Sequence, residues 1–273
     1  MLNKLLKYEF KATSKLLPVG YLFIVIVFLL GLFAKNVFHA AVAYTLPAIL
    51  LLLGSIFVLI FTYVVTITRF YKSLFGSEGY LTQTLPVSKA QLLGSRIIVF
   101  VVWFIAGTIA FIAGLFGFLY LLTSDVANVW ETIRNVFLSS PWYFGYLLAS
   151  TIIGAFLFAF EIFFCICLAN TSKFLRNNIA FSFVFYIIIM AIVGVVDVLT
   201  MMFIPLSIKT DVFTGQTSLM FKTMFSGMAE LGPSSATSAV TYIGVGSVIF
   251  DVILIGVLWA LSNHLLKNKV NVK

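Results

Sequence analysis

Six long apolar runs constrain this chain more than any other feature. They fall at about 18–38, 46–68, 97–122, 142–169, 179–205 and 239–262. A helix crosses a bilayer with about 20 predominantly apolar residues, and each run reaches that length. Composition agrees: 62% of residues are hydrophobic, 10% are charged and the mean hydropathy is +1.14. Soluble domains carry roughly 25% charged residues. The expected fold is an all-α membrane protein with six transmembrane helices. Several runs exceed the minimum, so tilt or extension past the headgroups is expected. The net charge of +8 does not point to nucleic acid, because the basic residues cluster at the ends of apolar runs.

Those ends set the orientation. Six crossings return the chain to its starting side. Of the 17 Lys and Arg residues, only Lys35, Arg134, Lys209 and Lys222 fall on the far side. By the positive-inside rule both termini and the 70–96 loop are predicted to be cytoplasmic. Residues 1–17 form an amphipathic segment. Leu2, Leu5, Leu6, Phe10 and Leu17 fall near one helical face, and Asn3, Lys4, Lys7, Lys11 and Lys15 near the other. This suits a helix in the cytoplasmic interface with its lysines toward anionic headgroups. The alternatives are a solvated basic flank, or a signal peptide cut after Ala41-Val42-Ala43.

The 70–96 loop is the most specified of the polar interruptions. Ser88 with Gln91 three residues later reads as a capping box, and Val87 with Leu92 as its hydrophobic staple. Pro86 ends any short helix over 78–84. The prediction is a short surface helix, a corner at Leu85-Pro86-Val87, and a capped helix entering the bilayer. Elsewhere, Pro47 is expected in the first turn of span two, where a missing N–H is tolerated. Ser140-Pro141 reads as an N-cap and first helical residue. Ala106, Ala110 and Gly114 form a small-residue stripe on span three that permits close helix approach. The external segment 207–238 has a helical apolar face of Met220, Phe221, Met224, Phe225 and Met228, broken at Gly232-Pro233. It reads as a partly re-entrant or interfacial helix, a backbone allowed at membrane depth only under protein or water.

Three acids fall inside spans: Glu161, Asp197 and Asp251. Each costs roughly 2.5–3.5 kcal/mol at mid-bilayer on insertion scales, so each should face protein or water. A polar pathway and a structural hydrogen bond between helices both account for them. Cys165 and Cys167 point to different helical faces and cannot bridge each other, so they read as packing residues. The chain carries no G-x-x-x-x-G-K-[ST] loop, no H-E-x-x-H pair and no G-x-S-x-G elbow. Its two histidines, His39 and His264, are predicted on opposite sides and cannot share a metal. No catalytic residues and no metal ligands are expected.

The N-terminal amphipathic helix, the six spans, the loop reading Glu78-Gly79-Tyr80-Leu81-Thr82-Gln83-Thr84-Leu85-Pro86-Val87-Ser88-Lys89 and the long last external segment together resemble the type-2 ATP-binding-cassette (ABC) transporter permeases. The resemblance implies a bacterial cytoplasmic-membrane exporter subunit rather than an enzyme. ATP and magnesium would be bound by a separate cytosolic ATPase subunit, and a second permease chain, identical or related, would complete the pair. It implies a connecting helix at 1–17 and a permease domain at 18–273. A coupling helix near 78–84 would contact the ATPase through Glu78, Tyr80, Leu81 and Gln83, and an outer gate would lie at 207–238. Spans two and five would face the partner and line the cargo path. The aromatic residues Phe57, Phe61, Phe181 and Phe185, with Met190, favour an amphipathic or hydrophobic cargo such as an antimicrobial peptide or a lipid-like molecule. Lipid-facing packing explains the same phenylalanines. Two other readings stand beside it: a lone proton-coupled carrier using the three acids, and a non-transporting toxin-immunity or sensor protein.

Overall fold

A computed structural model describes every residue except 1, 39–40, 77–78, 80–86, 123–130, 132–133, 136–137, 139–140, 172–176, 212–215, 232–239 and 269–273. The chain divides into two compact units, Met1–Val126 and Ala127–Lys269. Between them they hold six helices long and apolar enough to cross a membrane, as expected of a multi-pass membrane protein.

The first unit contains α1 (Leu2–Thr13), α2 (Leu17–Phe38), α3 (Ala41–Leu74) and α4 (Lys89–Leu122). Helices α3 and α4 form an antiparallel pair whose closeness comes from glycine facing small or polar residues. A Cβ added to Gly114 would stand 2.5 Å from Ser55 Cβ, and one on Gly107 would stand 3.5 Å from Thr62 Cβ. The hydroxyls on that seam are satisfied within their own helix: Ser55 donates to the Leu52 carbonyl at 2.8 Å and Thr62 to the Val58 carbonyl at 2.8 Å. Farther along, Ile24 and Val27 of α2 pack with Ala48, Leu51 and Val58 of α3 and Leu121 of α4. The predicted close contact at Gly114 is thus present.

Helix ends depart from the expected spans. Helix α2 runs to Phe38 and α3 starts at Ala41, so helix claims most of the turn expected over 35–45. Pro47 consequently lies in the second turn of α3 rather than the first. It leaves one ladder hydrogen bond unmade without ending the helix.

The second unit contains α5 (Pro141–Ala169), α6 (Asn178–Phe203), β1 (Ser207–Asp211), β2 (Thr217–Met220), α7 (Met224–Leu231), β3 (Val240–Gly244) and α8 (Gly246–Asn268). The proline at 141 opens α5 as predicted; Ser140 lies outside the described residues. Helices α5, α6 and α8 pack on one another.

The strands correct the all-α expectation. They form an antiparallel sheet in the order β2-β1-β3, with Ser207 opposite both Met220 and Gly244. The predicted gate helix shrinks to α7, with Met220 on β2 and Phe221 in the connection, 88% exposed. The β-branched and aromatic run Val240-Thr241-Tyr242-Ile243 suits a strand better than a helix start. The sixth span therefore begins at Gly246 rather than 239. Tyr242, 6% exposed, packs on α7, where a Cβ on Gly227 would sit 2.7 Å from its ring. Gly244 is held against the Met201 carbonyl at the end of α6, closer than any side chain permits.

Candidate functional site

Of the predicted coupling residues, Glu78, Tyr80, Leu81, Gln83 and Pro86 lie outside the described residues. The cap beside them is formed. Gln91 N–H donates to Ser88 Oγ at 3.2 Å, and Leu92 N–H to the Ser88 carbonyl at 3.1 Å. Ser88 is therefore the N-cap of α4 and Gln91 its third residue. Leu92 is buried and Val87 half-buried, consistent with the expected staple. On the other side of the corner α3 closes with a wide turn, the Gly76 N–H reaching the Tyr71 carbonyl at 3.1 Å.

Between α1, α3 and α4 lies a buried polar cluster. Glu9, at the centre of α1, is only 9% exposed. Its carboxylate stands 3.1 Å from Arg96 Nη1 of α4 and 3.6 Å from Arg69 Nε of α3. The Arg96 guanidinium also donates to Ser73 Oγ. One turn along α1, the Thr13 hydroxyl donates to the Glu9 carbonyl at 3.0 Å and accepts from Trp103 Nε1 of α4 at 2.8 Å. Trp103 stacks on Tyr21, whose hydroxyl lies 3.3 Å from Thr62 Oγ1 on the helix seam. A cavity of about 20 Å³ beside Glu9, Arg69 and Arg96 has room for a single water. One carboxylate thus ties α1 to both helices leading into the corner.

Sequence reasoning missed Glu9, although a signal was present. Leu2, Leu6, Glu9 and Thr13 follow i, i+4, i+7, i+11, so the one acid in residues 1–17 lies inside the apolar stripe. An acid there needs a cationic partner from the surface the helix packs on.

The three intramembrane acids all belong to the second unit. The Asp197 carboxyl of α6 and the Asp251 carboxyl of α8 lie within hydrogen-bonding range of each other. Glu161 of α5, 6% exposed, lies within electrostatic reach of both. One oxygen of each aspartate is buried without a hydrogen-bond partner. Nearby, the Tyr146 hydroxyl donates to the Gly244 carbonyl at 3.4 Å, and Tyr186 lies close to Glu161. Among the described residues, no three His, Cys, Asp or Glu side chains converge in a way that could hold a metal ion.

The four predicted path phenylalanines form two stacked pairs one helical turn apart. Phe57 and Phe61 of α3 have ring centroids 6.0 Å apart, and Phe181 and Phe185 of α6 6.1 Å apart. Phe57 is 65% exposed, and Val193 is the single buried residue of α6, the rest being half-buried or exposed. A shallow apolar groove of about 530 Å³ runs along α6 past Ile187, Ala191, Gly194 and Val198. No family model, curated protein or solved structure matches this chain.

Proposed function

We propose that this chain is the permease subunit of an ATP-driven exporter of the type-2 ABC class. It would move an amphipathic or hydrophobic cargo with energy from a separate cytosolic ATPase. The observation that carries this reading is the Glu9 cluster. An N-terminal helix joined by one buried carboxylate to both helices of a hairpin makes α1, α3 and α4 respond as one body to force at the corner between them. Packed helices shift as rigid elements, and a capped start at Ser88 keeps the entry to α4 from fraying under load. The exposed faces of α3 and α6, with their stacked phenylalanines, suit a second permease chain and an apolar cargo.

Co-expression with an ABC ATPase, sought first in the neighbouring reading frames, tests the assignment. The two should purify together and show cargo-dependent ATP hydrolysis. Leu81→Asp with Gln83→Asp should abolish co-purification while the permease still inserts; association that survives both changes overturns the coupling role. The Asp197–Asp251 contact with Glu161 beside it favours a second reading, a proton-coupled carrier acting alone. That reading requires transport in ATPase-free vesicles under a pH gradient, lost on Glu161→Gln.

A further inference from the structure

Helix α1 has three faces, and among the described residues one of them packs on the rest of its unit. Glu9 and Thr13 are buried, and Leu5, Leu6 and Phe10 half-buried. At about 100° per residue, Lys4, Lys7 and Lys11 fall within roughly 60° of the direction opposite that face, and Lys15 lies in the turn that follows the helix. All four are exposed. Among the described residues no carboxylate lies in ion-pair range of them, because the helix's one acid is turned inward. Beside the lysines Tyr8, at 69% exposure, and Ala12 stand exposed one turn apart on α1, and Leu16, at 50% exposure, is exposed in the turn after it. Large apolar side chains along the edge of a basic stripe suit the headgroup–acyl boundary, where the charges meet phosphate and the apolar groups enter the chains. An acidic protein surface would match the lysines and leave Tyr8 and Leu16 without an apolar partner.

We infer that the exposed surface of α1 and the turn after it, formed by Lys4, Lys7, Lys11, Lys15, Tyr8 and Leu16, docks on anionic phospholipid, and that Glu9 passes the resulting position of α1 to α3 and α4 through Arg69 and Arg96. The bilayer's surface charge thereby sets the resting geometry of the hairpin. The inference is independent of the transporter reading, since it concerns only the lipid face of α1 and the ion pairs behind it. Two contacts, one to the headgroups and one through buried ion pairs, share a helix of 12 residues, so movement on one side is felt on the other.

The full chain in nanodiscs supplies the test. The probes are phosphatidylcholine alone and phosphatidylcholine with a third phosphatidylglycerol. Native mass spectrometry should find phosphatidylglycerol enriched on the wild type. The quadruple variant Lys4→Gln, Lys7→Gln, Lys11→Gln, Lys15→Gln should lose that enrichment by roughly tenfold or more. Lys209→Gln with Lys267→Gln should keep it. Spin labels at the exposed positions Ala12 and Lys72 then report the α1–α3 separation; Cys165 and Cys167 are buried and do not compete for the label. Adding phosphatidylglycerol should narrow the distance distribution in the wild type and leave it broad in Glu9→Gln. Arg69→Gln, at the more exposed ion pair, gives the same reading should Glu9→Gln fail to fold. Equal enrichment in the wild type and the quadruple variant overturns the docking face, as does loss of a co-purifying protein with lipid enrichment intact. Enrichment without a lipid-dependent distance change in the wild type overturns the link to the hairpin.

Discussion

Replacing Glu9 by alanine tests the central packing claim most directly. The change removes the carboxylate that Arg96 and Arg69 share, and leaves the Arg96 side chain, 4% exposed, with a buried charge held by Ser73. Removing one partner of a buried pair costs about 3–5 kcal/mol. The Arg69 contact adds about 0–1 kcal/mol at most, because it is longer and its side chain is 30% exposed, so water screens it. At roughly 2–4 °C per kcal/mol for a chain of this size, a loss of 3–5 kcal/mol lowers Tm by about 6–20 °C. The assay is thermal unfolding of the purified chain in one fixed detergent, followed by intrinsic tryptophan fluorescence, since Trp103 sits one hydrogen bond from the cluster. A double-mutant cycle separates the ion pair from the rest of the site. Arg96→Met alone should also be strongly destabilising, and Glu9→Met with Arg96→Met should recover most of the loss, since an apolar pair of similar volume needs no charge compensation. A Glu9→Ala variant melting within about 2 °C of the wild type, or a double variant no better than the singles, would refute the reasoning.

Three further outcomes follow from the described geometry. Ser88→Ala removes the acceptor for the Gln91 N–H and should cost about 1 kcal/mol, read as faster amide exchange confined to the first turn of α4. Gly114→Val places branched carbons where Ser55 stands and should separate α3 from α4, detected as loss of a cross-link between cysteines placed at Thr62 and Gly107 on the same seam; an undiminished cross-link would contradict the close seam. Lys222, paired with Glu230 at 2.8 Å, has its ammonium pKa raised above the ordinary 10.5, chiefly by that hydrogen bond. A raised lysine pKa favours the folded state below 10.5 and loses that contribution as pH climbs through the folded value. NMR titration of the labelled lysine should show the Lys222 midpoint falling in Glu230→Gln.

What was legible in the residues followed from long, simple periodicities. Six apolar runs report themselves because each must exclude charge over some 20 positions. The Ser88 cap and the Gly114 contact were readable because each depends on residue types at short, fixed spacing. The sheet was not. Its strands are four or five residues long, and their pairing joins Ser207 to Gly244 across a separation that no local pattern encodes. Val240-Thr241-Tyr242-Ile243 also adjoins an apolar helix, so the boundary between strand and span vanished into one hydrophobic run. Glu9 was passed over because an amphipathic helix is ordinarily read from what its polar face carries. Here the informative residue was the exception on the apolar face. The approach of Asp197 to Asp251 likewise depends on helix rotation, which composition does not specify.

That approach also imposes an order of events during synthesis. Asp197 is made 54 residues before Asp251, which at about 5–20 residues per second leaves roughly 3–11 s between their emergence from the ribosome. During that interval α6 must sit at the translocon on the strength of its own aliphatic side chains, which offset an unaccompanied acid only because Ile, Val and Leu surround it on nearly every turn. A stalled nascent chain ending before α8 should therefore expose Asp197 to quality-control proteases that the finished protein escapes.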